Sequence, residues 1–406
     1  MRISTNTVYD LGLAQIQNQE SRLLNTQQQI SSGKRILTPA DDPIAAAQAL
    51  EVQQSIAVNS QYQTNQQVAT NTLALTNSAL TGVTNLIQSV RETAVSAGNG
   101  VLSDSDKATL AQQLQQDYQQ LLTLANSDDG QGHYLFAGFQ SGVQPFAQTP
   151  AGVAYLGDAG QRLIQTNAAS RIAANLPGSD VFMNIRNGNG TFIAQPAAAN
   201  AGSGVITQGT VADPTALTGD SYQINFTVTT TGSATTTTYD VVDATTGTTL
   251  ATAQPYTSGN AISFDGMQVN ITGDPADGDQ FTVTPSANQS IFQTISDLIG
   301  ALQAPASGTA ADARFANSLG LALSNLDQAL TSLNGQSGAV GARLTEISDL
   351  TGASQSLDTQ YQQTLSQLQD VDYAKAATDL AKYQTTLQAA QQSFQYVAGN
   401  SLFDYL

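Results

Sequence analysis

The stretch ATNTLALTNSALTGVTNLIQSVRETA, residues 69–94, carries the pattern that decides the fold. Its small and mostly apolar side chains recur in alternating steps of four and three, at Ala69, Leu73, Thr76, Leu80, Val83, Ile87, Val90 and Ala94. This spacing keeps one seam of a helix against a partner helix. The stretch therefore predicts a long helix that packs against a second one.

The positions of the prolines extend this prediction in both directions. None of the 11 prolines lies within residues 44–144 or 306–406. A proline inside a helix costs roughly 3 kcal/mol, so proline-free stretches of this length favour long helices. Within the second stretch the four-three spacing returns at Leu319, Leu323, Leu326, Leu330, Leu333, Val340, Leu344 and Ile347. We predict that the two ends of the chain pair as a long antiparallel helical rod.

The first residues predict a separate, shorter helix. Its apolar stripe recurs every seven residues, at Tyr9, Ile16, Leu23 and Ile30. Leu13 and Leu24 lie beside this stripe. Gly33 is suited to cap the C-terminus of this helix, and Asp42 followed by Pro43 is suited to begin the next one.

The end of the chain predicts a matching helix that Asp372 caps at its N-terminus. Its seam is Ala376, Leu380, Tyr383, Leu387, Ala390, Phe394 and Val397. Gly399 is expected to end this helix before the apolar segment SLFDYL, residues 401–406.

Between the helical ends the composition changes. Residues 151–285 contain no Glu and no Lys, and alternation of apolar and polar side chains is clear at residues 222–228. The sequence NGNG at 187–190 predicts a hairpin turn between strands at 181–186 and 191–194. We predict an inserted all-β domain, either a sandwich or a small barrel.

Two further segments carry local signals. Ser103 and Asp106 form a potential capping box for a helix through about Asn126. The apolar residues 134–139, YLFAGF, predict a strand or hairpin. Three aspartates, Asp274, Asp277 and Asp279, have the spacing of a calcium loop, but Pro285 stands where an EF-hand needs Glu. A tight turn is the preferred interpretation.

Composition excludes several classes of function. With 13 basic and 31 acidic residues, the formal net charge is −18, and we expect no nucleic-acid partner because such binding depends on Lys and Arg. There is no Cys, and His133 is the only histidine. Thiol chemistry and a structural zinc site built from Cys and His are therefore excluded. We expect no enzyme activity, no cofactor and no metal. No apolar segment is long enough for membrane insertion, and the first residues lack the apolar core of a signal peptide.

Four segments resemble the bacterial flagellin superfamily. They are MRISTN at 1–6, QQISSGKRILTPADDPIAAAQAL at 28–50, GHYLFAGFQSGVQPF at 132–146 and DVDYAKAATDLAKYQTTLQAAQQSFQYVAGNSLFDYL at 370–406. The YLFAGF segment and the SLFDYL ending resemble hook-filament junction proteins more than flagellin itself. The resemblance covers roughly residues 1–150 and 286–406.

The resemblance implies a secreted structural subunit of the bacterial flagellum, exported unfolded through the flagellar type III apparatus. Such a subunit associates with its own copies into a ring that joins the preceding hook-associated protein to flagellin. The implied subunit interface is Tyr9, Ile16, Leu23, Ile30, Leu380, Tyr383, Leu387, Phe394 and Val397. A cytoplasmic export chaperone is implied to cover Leu380, Tyr383, Leu387, Phe394, Val397, Leu402 and Phe403.

The same reasoning predicts five ranges along the chain. They are an axial helix at 1–43, a rod half at 44–150, the all-β insert at 151–285, the second rod half at 286–365 and the last axial helix at 366–406. Two alternatives stay open: flagellin itself, and a coiled-coil fibre adhesin whose β-domain binds a surface ligand. Spacing alone does not show whether a seam meets its own chain or a neighbour.

Overall fold

The computed structural model describes residues 5–100, 102–304 and 308–399. In these residues the chain forms six α-helices, with β-strands between the third and the fourth. The helices are α1 (Thr5–Ser32), α2 (Pro43–Ala97), α3 (Asp104–Ala125), α4 (Ile291–Gln303), α5 (Thr309–Gln369) and α6 (Tyr373–Gly399). The predicted fold class, helices from both termini around a central antiparallel β-domain, is confirmed.

The ends of α1 and α2 follow the predicted caps. Gly33 has φ 74°, and its N–H donates to the C=O of Gln29 at 2.9 Å, as a left-handed cap requires. The Asp42 carboxylate accepts from the N–H of Ala45 at 3.1 Å, one turn into α2. Since Pro43 is the first residue of α2, the boundary between the two helices lies where the sequence predicts it.

The chain divides into two compact units. The first contains the described parts of residues 1–65 and 349–406. Within it α1 packs against α6, and the start of α2 lies beside the end of α5. There the side-chain amide of Asn59 donates to the C=O of Ser354 at 2.8 Å, and both residues are buried. This buried polar pair is satisfied, as a stable helix pairing needs.

The second unit, residues 66–348, contains the seam of residues 69–94. All eight predicted seam residues on α2 have no exposed surface. On α5 the matching positions Leu326, Leu333 and Val340 are also fully buried. The Arg91 guanidinium lies 2.6 Å from the Asp327 carboxylate at the edge of this packing. The predicted helix pairing is therefore present within the chain.

Helix α3 begins with the predicted capping box of Ser103 and Asp106 and packs against α4. An aromatic cluster fills the space beside these helices, with Phe146, Phe182 and Phe292 in mutual contact at centroid distances of 5.2 to 6.1 Å. Aromatic pairs of this kind stabilise a core beyond the area they bury.

The β-strands form two main antiparallel sheets, β11-β10-β9-β14-β6 and β12-β13-β7, with β8 paired to β13. The strands are β1 (Phe146–Thr149), β2 (Gly152–Tyr155), β3 (Leu163–Gln165), β4 (Arg171–Ala173), β5 (Ile185–Arg186), β6 (Phe192–Pro196), β7 (Val205–Ile206), β8 (Thr210–Val211), β9 (Tyr222–Thr231), β10 (Ala234–Asp243), β11 (Thr249–Pro255), β12 (Ala261–Phe264), β13 (Met267–Thr272), β14 (Gln280–Pro285) and β15 (Asn288–Gln289). Side chains of both sheets share one core around Tyr222, Phe281 and Val269. The insert is thus a sandwich, while the five domain ranges stay a prediction.

The predicted hairpin around residues 187–190 is wrong. Gly188 and Gly190 have φ of 62° and 90°, so the left-handed turn exists. However, β5 pairs with β15 and β6 pairs with β14, and residues Ser179–Met183 form a short π-helix. The flanking segments therefore find partners about 100 residues away, which the local turn signal does not reveal.

The predicted strand or hairpin at residues 134–139 is also wrong. The segment consists of turns, and only Tyr134 forms an isolated bridge, to Asp128. Leu135 and Phe136 are buried, so the apolar run belongs to the core. Gly138, with φ 74°, turns the chain away from an extended path.

The sandwich is attached to α5 by buried side-chain amides. Asn325 accepts from the N–H of Gly188 at 2.7 Å. Asn317 accepts from the N–H of Ile206 at 2.8 Å and donates to the C=O of Gly204 at 3.0 Å. Since the backbone groups would otherwise be buried without partners, these two amides fix the loops on the helix.

Helix α5 also contains glycines that packing does not explain. They are Gly320, Gly335, Gly338, Gly341 and Gly352. A Cβ added at any of them would meet nothing within 4 Å outside the helix itself and its adjacent residues. Close approach of another element is therefore not the reason for glycine at these positions.

We expect Asn325→Ala to lower the free energy of unfolding by about 1–3 kcal/mol, because the Gly188 N–H would be buried without an acceptor. Asn334 lies on the same helix and is exposed, so Asn334→Ala should change the stability far less. Denaturant unfolding of both variants makes the comparison. Equal effects would contradict the role assigned to Asn325.

Candidate assembly interface

Helices α1 and α6 pack against each other along their predicted seams. The rings of Tyr9 and Phe394 meet edge to face, with centroids 5.9 Å apart. Phe394 also covers Gly12, where an added Cβ would lie 2.8 Å from the ring. The lack of a side chain at Gly12 therefore lets the Phe394 ring approach α1 closely.

The described seam side chains of α1 and α6 are each half-buried in the single chain. They are Tyr9, Ile16, Leu23, Ile30, Leu380, Tyr383, Leu387 and Phe394. They lie on two helices of one chain that contact each other, so their predicted role between subunits stays a prediction. The side chain of Val397, as well as Leu402 and Phe403, lies outside the described residues.

Other large apolar side chains of these helices are exposed. They are Leu11, Leu13, Leu24, Tyr373 and Tyr396. Leu11 is 64% exposed and Tyr396 is 75% exposed. Exposed apolar side chains mark a binding surface where they form a contiguous patch, so these five are candidates for contact with a further chain. The sequence pattern placed Leu13 and Leu24 beside the α1 stripe. It missed Leu11 and Tyr396, which lie outside the stripe of α1 and the seam of α6.

Two connections far apart in sequence are joined by backbone hydrogen bonds. The N–H of Arg35 donates to the C=O of Gln369 at 2.7 Å, and the N–H of Val371 donates to the C=O of Gly33 at 2.9 Å. We call these four residues the backbone clasp. It joins the connection between α1 and α2 to the connection between α5 and α6.

The side chain of Arg35 reinforces the clasp. Its guanidinium donates to the C=O of Leu368 at 2.8 Å and to the Asp42 carboxylate at 3.2 Å. The N–H of Ala45 and then the Arg35 guanidinium hold the pKa of Asp42 below its usual value. A carboxyl with a lowered pKa stabilises the folded chain at pH values above its unfolded pKa. This contribution is lost as the pH falls through the lowered folded pKa.

The described residues offer little catalytic chemistry. Nδ1 of His133 lies 3.1 Å from the Asp129 carboxylate on an exposed turn. Among residues 5–100, 102–304 and 308–399, no group of three or more His, Cys, Asp or Glu side chains is arranged to hold a metal ion. A search of the helices over the same residues finds none that is long and apolar enough to cross a membrane.

The aspartates with calcium-loop spacing form a turn. The Asp279 carboxylate accepts from the N–H groups of Ala201, Gly202 and Ala276, at 2.8 to 3.0 Å. Asp277 accepts from a backbone N–H of β9 at 2.9 Å. The tight-turn interpretation is confirmed, because these carboxylates organise backbone groups.

Comparison with known families matches three parts of the chain. Residues 3–141 match the bacterial flagellin N-terminal helical region, and residues 323–406 match the C-terminal helical region. Residues 196–285, which contain most of the sandwich, match the D2-like domain of flagellar hook-associated protein 1. Paired terminal helices with an inserted β-domain are thus the architecture of flagellin-like proteins.

Individual relatives are more specific. The flagellar hook-associated protein 3 of Salmonella typhimurium is 38% identical over 185 residues, which is 46% of this chain and 58% of that protein. The chain thus spans less than two thirds of this curated relative. The structure of hook-associated protein 3 from Legionella pneumophila aligns with a TM-score of 0.73 and 30% identity, over 78% of this chain and 98% of that chain. FlgL from Xanthomonas campestris gives 0.71 and 30%, over 78% and 99%.

The two structural alignments include almost all of each solved chain at 30% sequence identity. The chain belongs to the flagellar hook-associated protein 3 family.

We expect Arg35→Ala to speed hydrogen exchange at the Val371 N–H, because the clasp loses two side-chain hydrogen bonds. Lys34→Ala removes a neighbouring positive charge whose side chain makes no described hydrogen bond or ion pair, so exchange at Val371 should stay unchanged. Exchange mass spectrometry of both variants measures this. Unaltered exchange in Arg35→Ala would show that the backbone bonds hold without the guanidinium.

Proposed function

We propose that this chain is a structural, non-enzymatic subunit of the junction between the flagellar hook and filament. Copies of it form a ring that joins a preceding hook-associated protein to the first flagellin subunits. The observation that carries the proposal is the alignment over 98–99% of the solved hook-associated protein 3 and FlgL chains. A further FlgL structure, from Legionella pneumophila, is described as a flagellar junction protein.

The geometry of the terminal helices supports this function. Because α1 and α6 already pair within the chain, assembly uses a preformed two-helix element rather than separate helices. Their exposed apolar side chains, Leu11 and Tyr396 among them, gain burial only from a further chain. The half-buried seam residues are positioned to complete their burial at the same time.

The proposal includes the route to the junction. The chain is exported unfolded by the flagellar type III apparatus and acts outside the cell. Before export, a cytoplasmic chaperone covers the α6 seam and the residues that follow it. The high similarity to FlgL structures supports this role above the alternatives of flagellin or a fibre adhesin.

The experiment that tests this function is immunogold labelling of intact flagella. We expect a single labelled band at the distal end of the hook. Labelling along the whole filament would favour flagellin, and an absence of label on flagella would favour a surface adhesin. A strain that lacks the chain should secrete flagellin but retain no filaments.

A pair of substitutions tests the shared use of the α6 seam. Leu387 is half-buried in the single chain, so binding gains about half of the roughly 1.5–3 kcal/mol that full burial of a Leu side chain is worth, and its loss weakens binding about three- to tenfold. We expect Leu387→Asp to weaken both chaperone binding and filament retention, since it also buries a charge. Calorimetry and microscopy give the two measurements.

Gln388 is exposed, so Gln388→Asp is the matched control. It adds the same charge one position along α6 and should have a far smaller effect on both measurements. If the two substitutions act alike, this seam is not the surface shared by the chaperone and the neighbouring subunits.

A further inference from the structure

The chain contains four Asn-Gly pairs, at residues 99–100, 187–188, 189–190 and 334–335. Such a pair can lose ammonia without an enzyme. The backbone nitrogen of the glycine bonds to Cγ of the asparagine and closes a five-membered succinimide, while the side-chain nitrogen leaves as ammonia and carries the proton of the glycine N–H. Water then opens the ring at either carbonyl and gives aspartate or isoaspartate. Glycine favours this reaction because it has no Cβ to hinder the attack.

Three of the four glycine nitrogens are engaged in hydrogen bonds. The N–H of Gly188 donates to the buried side chain of Asn325 at 2.7 Å. The N–H of Gly190 donates to the C=O of Asn187 at 3.2 Å. Gly335 lies in the interior of α5, where its N–H belongs to the hydrogen-bond ladder of the helix. Attack by any of these nitrogens first requires the loss of a hydrogen bond.

The asparagine side chains at 187 and 189 are bound as well. Oδ1 of Asn187 accepts from the N–H of Ala287 at 2.9 Å. Nδ2 of Asn189 donates to the C=O of Gln208 at 3.2 Å, and its Oδ1 accepts from the N–H of Phe192 at 2.9 Å. Because closure of the succinimide turns Cγ toward the following nitrogen, these bonds would also have to break.

The pair at residues 99–100 lies in a different environment. It belongs to the turn between α2 and α3, and both residues are exposed. Within the part of the chain that the structure describes, the N–H of Gly100 makes no hydrogen bond. A Cβ added at Gly100 would meet nothing within 4 Å. The attacking nitrogen is therefore available, and the turn has room to adopt the geometry of the ring.

We propose that Asn99 is the site at which the folded chain deamidates, with Gly100 as the nucleophile and water as the second reactant. Aspartate adds one negative charge to the turn that precedes α3. Isoaspartate also adds one methylene to the main chain and makes the Asn99 C=O a side branch. That C=O accepts from the N–H of Leu102 at 3.1 Å, so the modification alters the connection that leads into α3. The proposal depends on the fold and not on the proposed function.

Peptide mapping of the folded, full-length chain tests the site. The protein is incubated in mildly alkaline buffer, which speeds the reaction because the glycine nitrogen must lose its proton. Samples are digested in acid, and mass spectrometry follows the conversion of amide to acid at each pair. We expect conversion at Asn99 to be at least several-fold faster than at Asn187, Asn189 or Asn334. No conversion at Asn99, or equal conversion at another pair, would overturn the proposal.

Gly100→Ala is the matched variant. It retains Asn99 and adds one Cβ in open space, and Gly100 lies outside the left-handed region, so the fold accepts alanine there. We expect conversion at Asn99 to slow several-fold, because the Cβ hinders closure of the ring. An unchanged rate would show that the mass change does not pass through a succinimide and would contradict the proposed route.

The same chain unfolded in urea separates the effect of the fold from that of the local sequence. All four pairs are then released from their hydrogen bonds, so we expect them to convert at comparable rates. If Asn99 leads the other three as strongly in urea as in the folded chain, the local sequence selects the site, and the protection assigned to the fold is wrong.

Discussion

The backbone clasp between Gly33 and Arg35 on one side and Gln369 and Val371 on the other is the constraint on which the helical ends depend. It holds segments more than 300 residues apart in sequence in the register in which α1 packs on α6. Closing so long a loop is costly in entropy, and local helix propensity does not repay it. The clasp offsets part of that cost with directional bonds from backbone groups and one guanidinium.

Features with a local cause could be predicted from the sequence. The caps at Gly33, Asp42 and Ser103 each depend on residues within one turn, and the structure has all three. The buried seam of residues 69–94 also follows from its own spacing. Such elements are predictable because the residues that determine them are adjacent in the chain.

Features that depend on distant partners could not be predicted. The turn at residues 187–190 forms, but its flanking strands pair with segments near residues 280–289. The seams on α1 and α6 were identified correctly as apolar stripes, yet their spacing did not show that they meet within one chain.

The glycines of α5 have a consequence for the mechanics of the chain. Each glycine in a helix interior is less favourable than alanine by roughly 0.5–1 kcal/mol. Five glycines of α5 have no other element within 4 Å of where a Cβ would lie. The intrinsic helical stability of α5 is therefore low, and the helices packed beside it stabilise it. A polypeptide that is proposed to be threaded through a narrow channel benefits from this weakness. Helix α5 can be unwound into an extended chain with little mechanical work. It becomes stiff only after the neighbouring helices pack against it.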